Sequence, residues 1–84
     1  MTDAHWNVFA GEDLVLEVWS KPGPIRSVAH LPPGEAPRVC PFMSATSHDA
    51  EHEDALHKIL EASRTLEDFL GGLGRHGLRV VAAG

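Results

Sequence analysis

The hydrophobic period of this chain changes near residue 47, and that change restricts the fold more than any other feature. Before it, apolar residues alternate in short runs broken by Pro and Gly. After it, they recur every three to four residues. A chain that switches from period 2 to period 3.6 reads as a sheet followed by a helix that covers it.

The strand half has three runs. Residues 5–10 (H-W-N-V-F-A) alternate loosely and end at Gly11, Glu12 and Asp13, a cluster of turn formers. Residues 14–20 (L-V-L-E-V-W-S) form the clearest strand, with Leu14, Leu16 and Val18 expected on one face and Val15, Glu17 and Trp19 on the other. Lys21-Pro22-Gly23-Pro24 stops it, because Pro donates no ladder hydrogen bond and Pro-Gly favours a turn. Residues 25–31 (I-R-S-V-A-H-L) read as a third strand, and the three runs predict an antiparallel meander. Pro32, Pro33 and Pro37 make residues 32–37 a loop, and Pro41 limits residues 38–43 to an edge strand or an extended crossover. Residues 44–47 (S-A-T-S) read as N-cap candidates, with Thr46 and Asp49 in capping-box spacing.

One long helix is expected over residues 47–70. At about 100° per residue, Ala55, Leu56, Ile59, Leu60, Ser63, Leu66, Leu70 and Leu73 gather on one side. Asp54, Lys58, Glu61, Arg64, Thr65 and Asp68 take the other. Asp49, Glu51, Glu53 and Asp54 crowd the first turns, where the helix dipole favours negative charge. Gly71-Gly72 offers a C-terminal stop, and residues 78–83 (L-R-V-V-A-A) read as a last strand. The expectation is a single α+β domain over residues 1–84: an antiparallel sheet of three to four strands with one long amphipathic helix on one face, in the order β-β-β-α-β. At 84 residues the chain buries only about 60–65% of its surface, so the core is small.

Composition removes several function classes. No apolar run approaches the roughly 18 residues of a membrane helix. The stretch Met1 to Trp6 is polar and unlike a secretory leader, so the cytoplasm is the expected location. Cys40 is the single cysteine and cannot form an internal disulfide. The formal charge of −5 argues against direct nucleic-acid binding. The Gly71–Gly74 run follows a helix rather than opening one, so it does not make a phosphate loop. The carboxylates at the helix start point in different directions, and Cys40 sits in an apolar run. The expectation is therefore a protein that is not an enzyme and needs no cofactor.

Histidine is abundant, at positions 5, 30, 48, 52, 57 and 76. His48 and His52 stand i,i+4, the spacing that lets two imidazoles share a divalent metal on a helix face. With Glu51 they also match the string H-x-x-E-H. Two readings are open for the pair, a metal- or pH-responsive site and two structural imidazoles. His57 is expected on the solvated side.

Surplus apolar side chains point to a partner. A single helix covers one sheet face, so either Trp19 or the face of Leu14, Leu16 and Val18 looks elsewhere; two readings are open, a homodimer or docking surface, and Trp19 packed on Trp6 or Phe9 under the loop at residues 32–37. Trp19 and Phe69 are the candidate anchors. Glu51, Asp54, Glu61 and Asp68 form an acidic helix face suited to a basic groove.

The hairpin run around Asp13-Leu14-Val15-Leu16-Glu17-Val18 and the helix A-L-H-K-I-L-E-A-S-R-T-L-E-D-F-L (residues 55–70) together resemble small phage and prophage accessory proteins. The likeness covers about half the chain. It carries no catalytic motif, and residues 32–37 and the last strand depart from it. It implies an acidic inhibitor, as anti-CRISPR proteins are, that binds a host protein or nucleoprotein complex.

Overall fold

The computed structural model describes residues 4–25 and 33–83. It is an α+β fold with a four-stranded antiparallel sheet and two helices. The strands are β1 (His5–Ala10), β2 (Asp13–Trp19), the two-residue β3 (Gly23–Pro24) and β4 (Val39–Cys40), β5 (Ser44–Ser47) and β6 (Arg79–Ala82). The helices are α1 (Glu53–Glu61), entered through a 3-10 turn at Ala50–His52, and α2 (Leu66–Arg75). The main sheet has the order β5-β2-β1-β6, and β3 pairs with β4 in a separate ribbon. Among the described residues no helix is long and apolar enough to cross a membrane. Apart from Ile25, the third strand expected at residues 25–31 lies outside the described residues.

The sheet grows from the hairpin of β1 and β2. Gly11 takes a φ of +65°, the left-handed value needed at the first position of a type II′ hairpin turn. The register then runs from Ala10 opposite Asp13 to His5 opposite Trp19. One irregularity interrupts it: Val8 faces Leu16, but Phe9 faces Leu14, so Val15 is an extra residue on β2. This bulge corrects the expected strand faces. Val15, Leu16 and Val18 are all buried, whereas Leu14 is 37% exposed.

Ser44–Ser47 is not a capping segment but β5, paired to β2 with Ser47 opposite Leu16 and Ser44 opposite Trp19. It takes the place that the meander reading gave to a third consecutive strand. The last strand returns to the first, with Trp6 opposite Ala82 and Phe9 opposite Arg79. Pairing parity puts Trp6, Val8, Leu16, Val18, Ala45 and Val80 on the inner face. Leu56 of α1 and Phe69 and Leu73 of α2 complete the core against it.

The single long helix resolves into two. The break spans residues 62–65, where Ser63 Oγ donates to the Ile59 carbonyl oxygen at 2.7 Å. Thr65 is extended (φ −134°, ψ 167°), and its side chain accepts from the Asp68 N–H at 3.2 Å, so it starts α2 as an N-cap. An unbroken helix over residues 47–70 would be about 33 Å long. It would overhang a four-stranded sheet, which is only about 15 Å across. Folding the segment back lets both halves of the apolar stripe reach the sheet.

The caps also move. Asp49 itself is the first cap, with its carboxylate accepting from the Glu51 N–H at 2.9 Å. Gly71-Gly72 lies within α2 rather than ending it. A Cβ at Gly72 would stand 2.7 Å from Ile59 Cγ2, so this glycine sets how closely the two helices approach. The helix ends at Arg75 with His76 as its C-cap, and Gly77 follows with φ +84°. There the Gly77 N–H bonds to Gly74 O and the Leu78 N–H to Leu73 O, each at 3.1 Å. This is a Schellman motif, and its apolar pair, Leu73 and Leu78, is buried.

The two kinds of glycine make a paired prediction. Gly77→Ala forces a left-handed alanine and should cost about 1–2 kcal/mol. Gly71→Ala places a methyl in open space on a helix, and should stabilise by about 0.5–1 kcal/mol. Urea denaturation of both variants checks this. Equal effects would mean that α2 does not end where the structure places its end.

Candidate functional site: the open face of the sheet

Because both helices pack on one side, the opposite face of the sheet has no helix over it. Pairing parity turns His5, Asn7 and Phe9 of β1 outward, beside Trp19, Glu17 and Leu14 of β2. Val81 and Arg79 of β6 continue the rows of Asn7 and Phe9. Thr46 continues the row of Glu17 on the other side.

Three contacts organise this face. The His5 imidazole stacks on Trp19, with ring centroids 4.8 Å apart and planes 2° from parallel. The Glu17 carboxylate lies between two histidines: Oε2 is 2.7 Å from His48 Nε2, and Oε1 is 3.3 Å from His5 Nε2. The shorter contact is a hydrogen bond. The longer one is close in distance but poorly aligned, so His5 Nε2 is shielded from water with no hydrogen-bond partner, as is Asn7 Oδ1. At the other end, the Arg79 guanidinium carbon sits 4.8 Å from the centre of the Phe9 ring, a cation–π contact. Leu14 and Val81, at 37% and 38% exposure, are among the exposed large apolar side chains.

The structure distributes the residues singled out by sequence over different surroundings. Trp19 belongs to the open face. Phe69, at 2% exposure, belongs to the core and offers nothing to a partner. Glu51, Asp54 and Glu61 are exposed along one stripe of the 3-10 turn and α1, and Glu61 pairs with Arg38 at 3.2 Å. Asp68 is exposed at the start of α2, where its carboxylate also accepts from the Arg64 N–H at 3.4 Å. It lines a cleft of about 460 Å³ between the helices, with Ile59, Ser63, Gly72, Arg75 and His76. These acids lie on the helical layer, whereas Trp19 lies on the sheet face that the helices leave open.

The helical spacing of His48 and His52 does not hold. His48 follows β5 in extended chain, with its N–H bonded to the Val15 carbonyl at 2.9 Å. Its ring turns to Glu17. His52 lies in the 3-10 turn and meets Asp49 Oδ2 through Nδ1 at 2.6 Å. Each imidazole is committed to a different carboxylate. Among the described residues, no group of three or more His, Cys, Asp or Glu side chains is placed to hold a metal ion. His57 is half-buried with its Nε2 shielded, not solvated as its helical position suggested. Cys40 is buried in the core cluster.

No protein-family model, curated protein or solved structure matches the chain.

His5, Asn7, Glu17, Phe9 and Arg79 carry the face, and the sequence pattern assigned them no binding role. Part of the signal was in the hairpin. Closing the chain at Gly11-Glu12 brings His5 to the Val18–Trp19 end of β2, and the extra residue at Val15 then sets it opposite Trp19. Stacking makes this testable. His5→Ala should lower stability by about 0.5–1.5 kcal/mol. It should also shift tryptophan emission to the red as Trp19 gains solvent, and a spectrum unchanged from wild type would contradict the stack.

Proposed function

We propose that this chain is a non-enzymatic protein-binding protein that docks through the open face of its sheet. The observation that carries the reading is the content of that face. A solvated sheet face alternates to short polar residues. This one presents Trp19, Phe9, Leu14 and Val81 around a partly shielded polar centre of His5, Asn7 and Glu17. Aromatic groups held rigid by neighbours suit a docking surface, because little side-chain entropy is left to lose on binding. The matching partner is a protein with an apolar ridge and an acidic group for Arg79.

Stacked aromatic groups on a sheet also suit single-stranded nucleic acid. Glu17 at the centre of the face and the net charge of −5 weigh against a phosphate backbone and for a protein.

A finer reading, an anti-CRISPR-like inhibitor of a host nucleic-acid-binding complex, draws on the acidic stripe of Glu51, Asp54 and Glu61. Such a stripe would occupy a basic groove and act mainly on association rate. Because it lies on the helical layer, the stripe and Trp19 make separable contributions.

The experiment is capture of a partner from host lysate, followed by titration of that purified partner. Trp19→Ala should weaken binding by at least about 2 kcal/mol, roughly thirtyfold. The double variant Asp54→Lys with Glu61→Lys should lower the association rate and flatten its salt dependence if the inhibitor reading holds. An affinity unchanged by Trp19→Ala would remove the sheet face as the docking surface. A tight complex with a single-stranded oligonucleotide would replace the protein partner.

A further inference from the structure

We infer that β6 is a self-pairing edge, and that two copies of the chain join through it into a continuous eight-stranded sheet. The inference rests on backbone geometry and is independent of what docks on the open face. The two edges of the main sheet differ. The β5 edge is flanked by the β3–β4 ribbon, so closely that a Cβ at Gly23 would lie 2.9 Å from Ser44 Cβ. Among the described residues nothing pairs with the outer side of β6.

Parity fixes which groups that edge presents. The Ala83 N–H donates to His5 O at 2.8 Å, so residue 83 directs its polar groups at β1. Val81 and Arg79 therefore do the same, and Val80 and Ala82 direct their N–H and C=O groups outward. The edge is short, but three of the usual protections against pairing are missing from it. Within R-V-V-A there is no Pro, no Lys and no bulge, and Arg79 is committed to Phe9.

Within residues 79–83, one register pairs the outward groups of both Val80 and Ala82 with a second copy of this strand. With a twofold axis at Val81, Val80 meets the partner's Ala82 and Ala82 meets the partner's Val80. All the outward backbone groups of the four residues then pair. An axis at Val80 would require the Leu78 N–H, which is already given to Leu73 O at 3.1 Å. In the Val81 register the two valines form a non-hydrogen-bonded cross-strand pair, about 4.5 Å between Cα atoms, on the open face. Val81 is 38% exposed in the single chain and gains an apolar neighbour there. The two Arg79 residues stand about 14 Å apart, beyond the screening length of about 8 Å.

Sedimentation of the full chain over a dilution series tests the inference. The mass should rise from 9.1 kDa toward twice that value with concentration. Val81→Lys, which puts like charges on the axis, should hold it at the monomer value. Ala82→Pro removes an outward donor and leaves the β1 ladder intact, and should do the same. Val81→Cys should oxidise to a linked dimer on a non-reducing gel, and Arg79→Cys should not. Circular dichroism confirms that each variant is folded. A monomer at every concentration, a dimer unmoved by both Val81→Lys and Ala82→Pro, or cross-linking as efficient at 79 as at 81 would overturn the inference.

Discussion

The pairing of β1 with β2 governs the rest of this structure, because every other strand of the main sheet joins one of these two. β5 is added to β2 and β6 to β1, so the hairpin register sets the height of all four strands. Within that register the extra residue at Val15 has the widest effect. It lets two consecutive side chains, Val15 and Leu16, enter the apolar interior, each contributing roughly 1.5–3 kcal/mol on burial. It also moves Leu14 to the outside, beside Phe9. A regular strand would have buried Leu14 and left Val15 on the outer face. The bulge thus adds to the core and to the exposed apolar surface at once.

The helical layer answers to the width of that sheet. A stripe of leucines at helical spacing says which side of a helix is buried, but not where the helix must stop. Here the limit is tertiary. The sheet is too narrow for one rod, and Ser63 and Thr65 supply the side-chain hydrogen bonds that let the backbone leave the helix and re-enter it. Gly72 then allows the two halves to lie close, and Gly77 ends the second half. The same glycines look equivalent in sequence, and only the packing against Ile59 and the left-handed φ separate their roles.

This explains what was legible in the sequence. Runs with a clear period, such as residues 14–19 and the stripe through Leu56, Leu66 and Leu73, announced an α+β chain with an antiparallel sheet. Local chemistry placed the turn at Gly11. What escaped were features decided between segments. Ser44–Ser47 has the composition of a capping segment, yet it becomes a strand because β2 offers it a partner. His48 and His52 have metal spacing only on a helix, and the helix begins after them. Phe69 is a candidate anchor on one long helix, and with the helix broken at residues 62–65 it falls on the buried side of α2. An uncovered sheet face marked by Trp19 was legible, because one helical layer covers one side, but the residues around Trp19 were not: they come from separate strands, and no one strand contains their pattern.

The placement of charge gives the two surfaces different physics. Glu51, Asp54, Glu61 and Asp68 on the helical layer are exposed, and fields from such groups are screened over about 8 Å at physiological salt. They influence approach more than residence. On the open face, Glu17 is only partly exposed, with Oε2 hydrogen-bonded to His48 and Oε1 3.3 Å from His5 Nε2. Around it the contacts are aromatic and aliphatic, and their attraction does not weaken with salt. Pairing through β6 would leave this face uncovered, because strands added at an edge extend a sheet in its own plane. It would place two copies of the face side by side with Val81 at the seam, so that the contact joining the chains would enlarge the surface available to a partner.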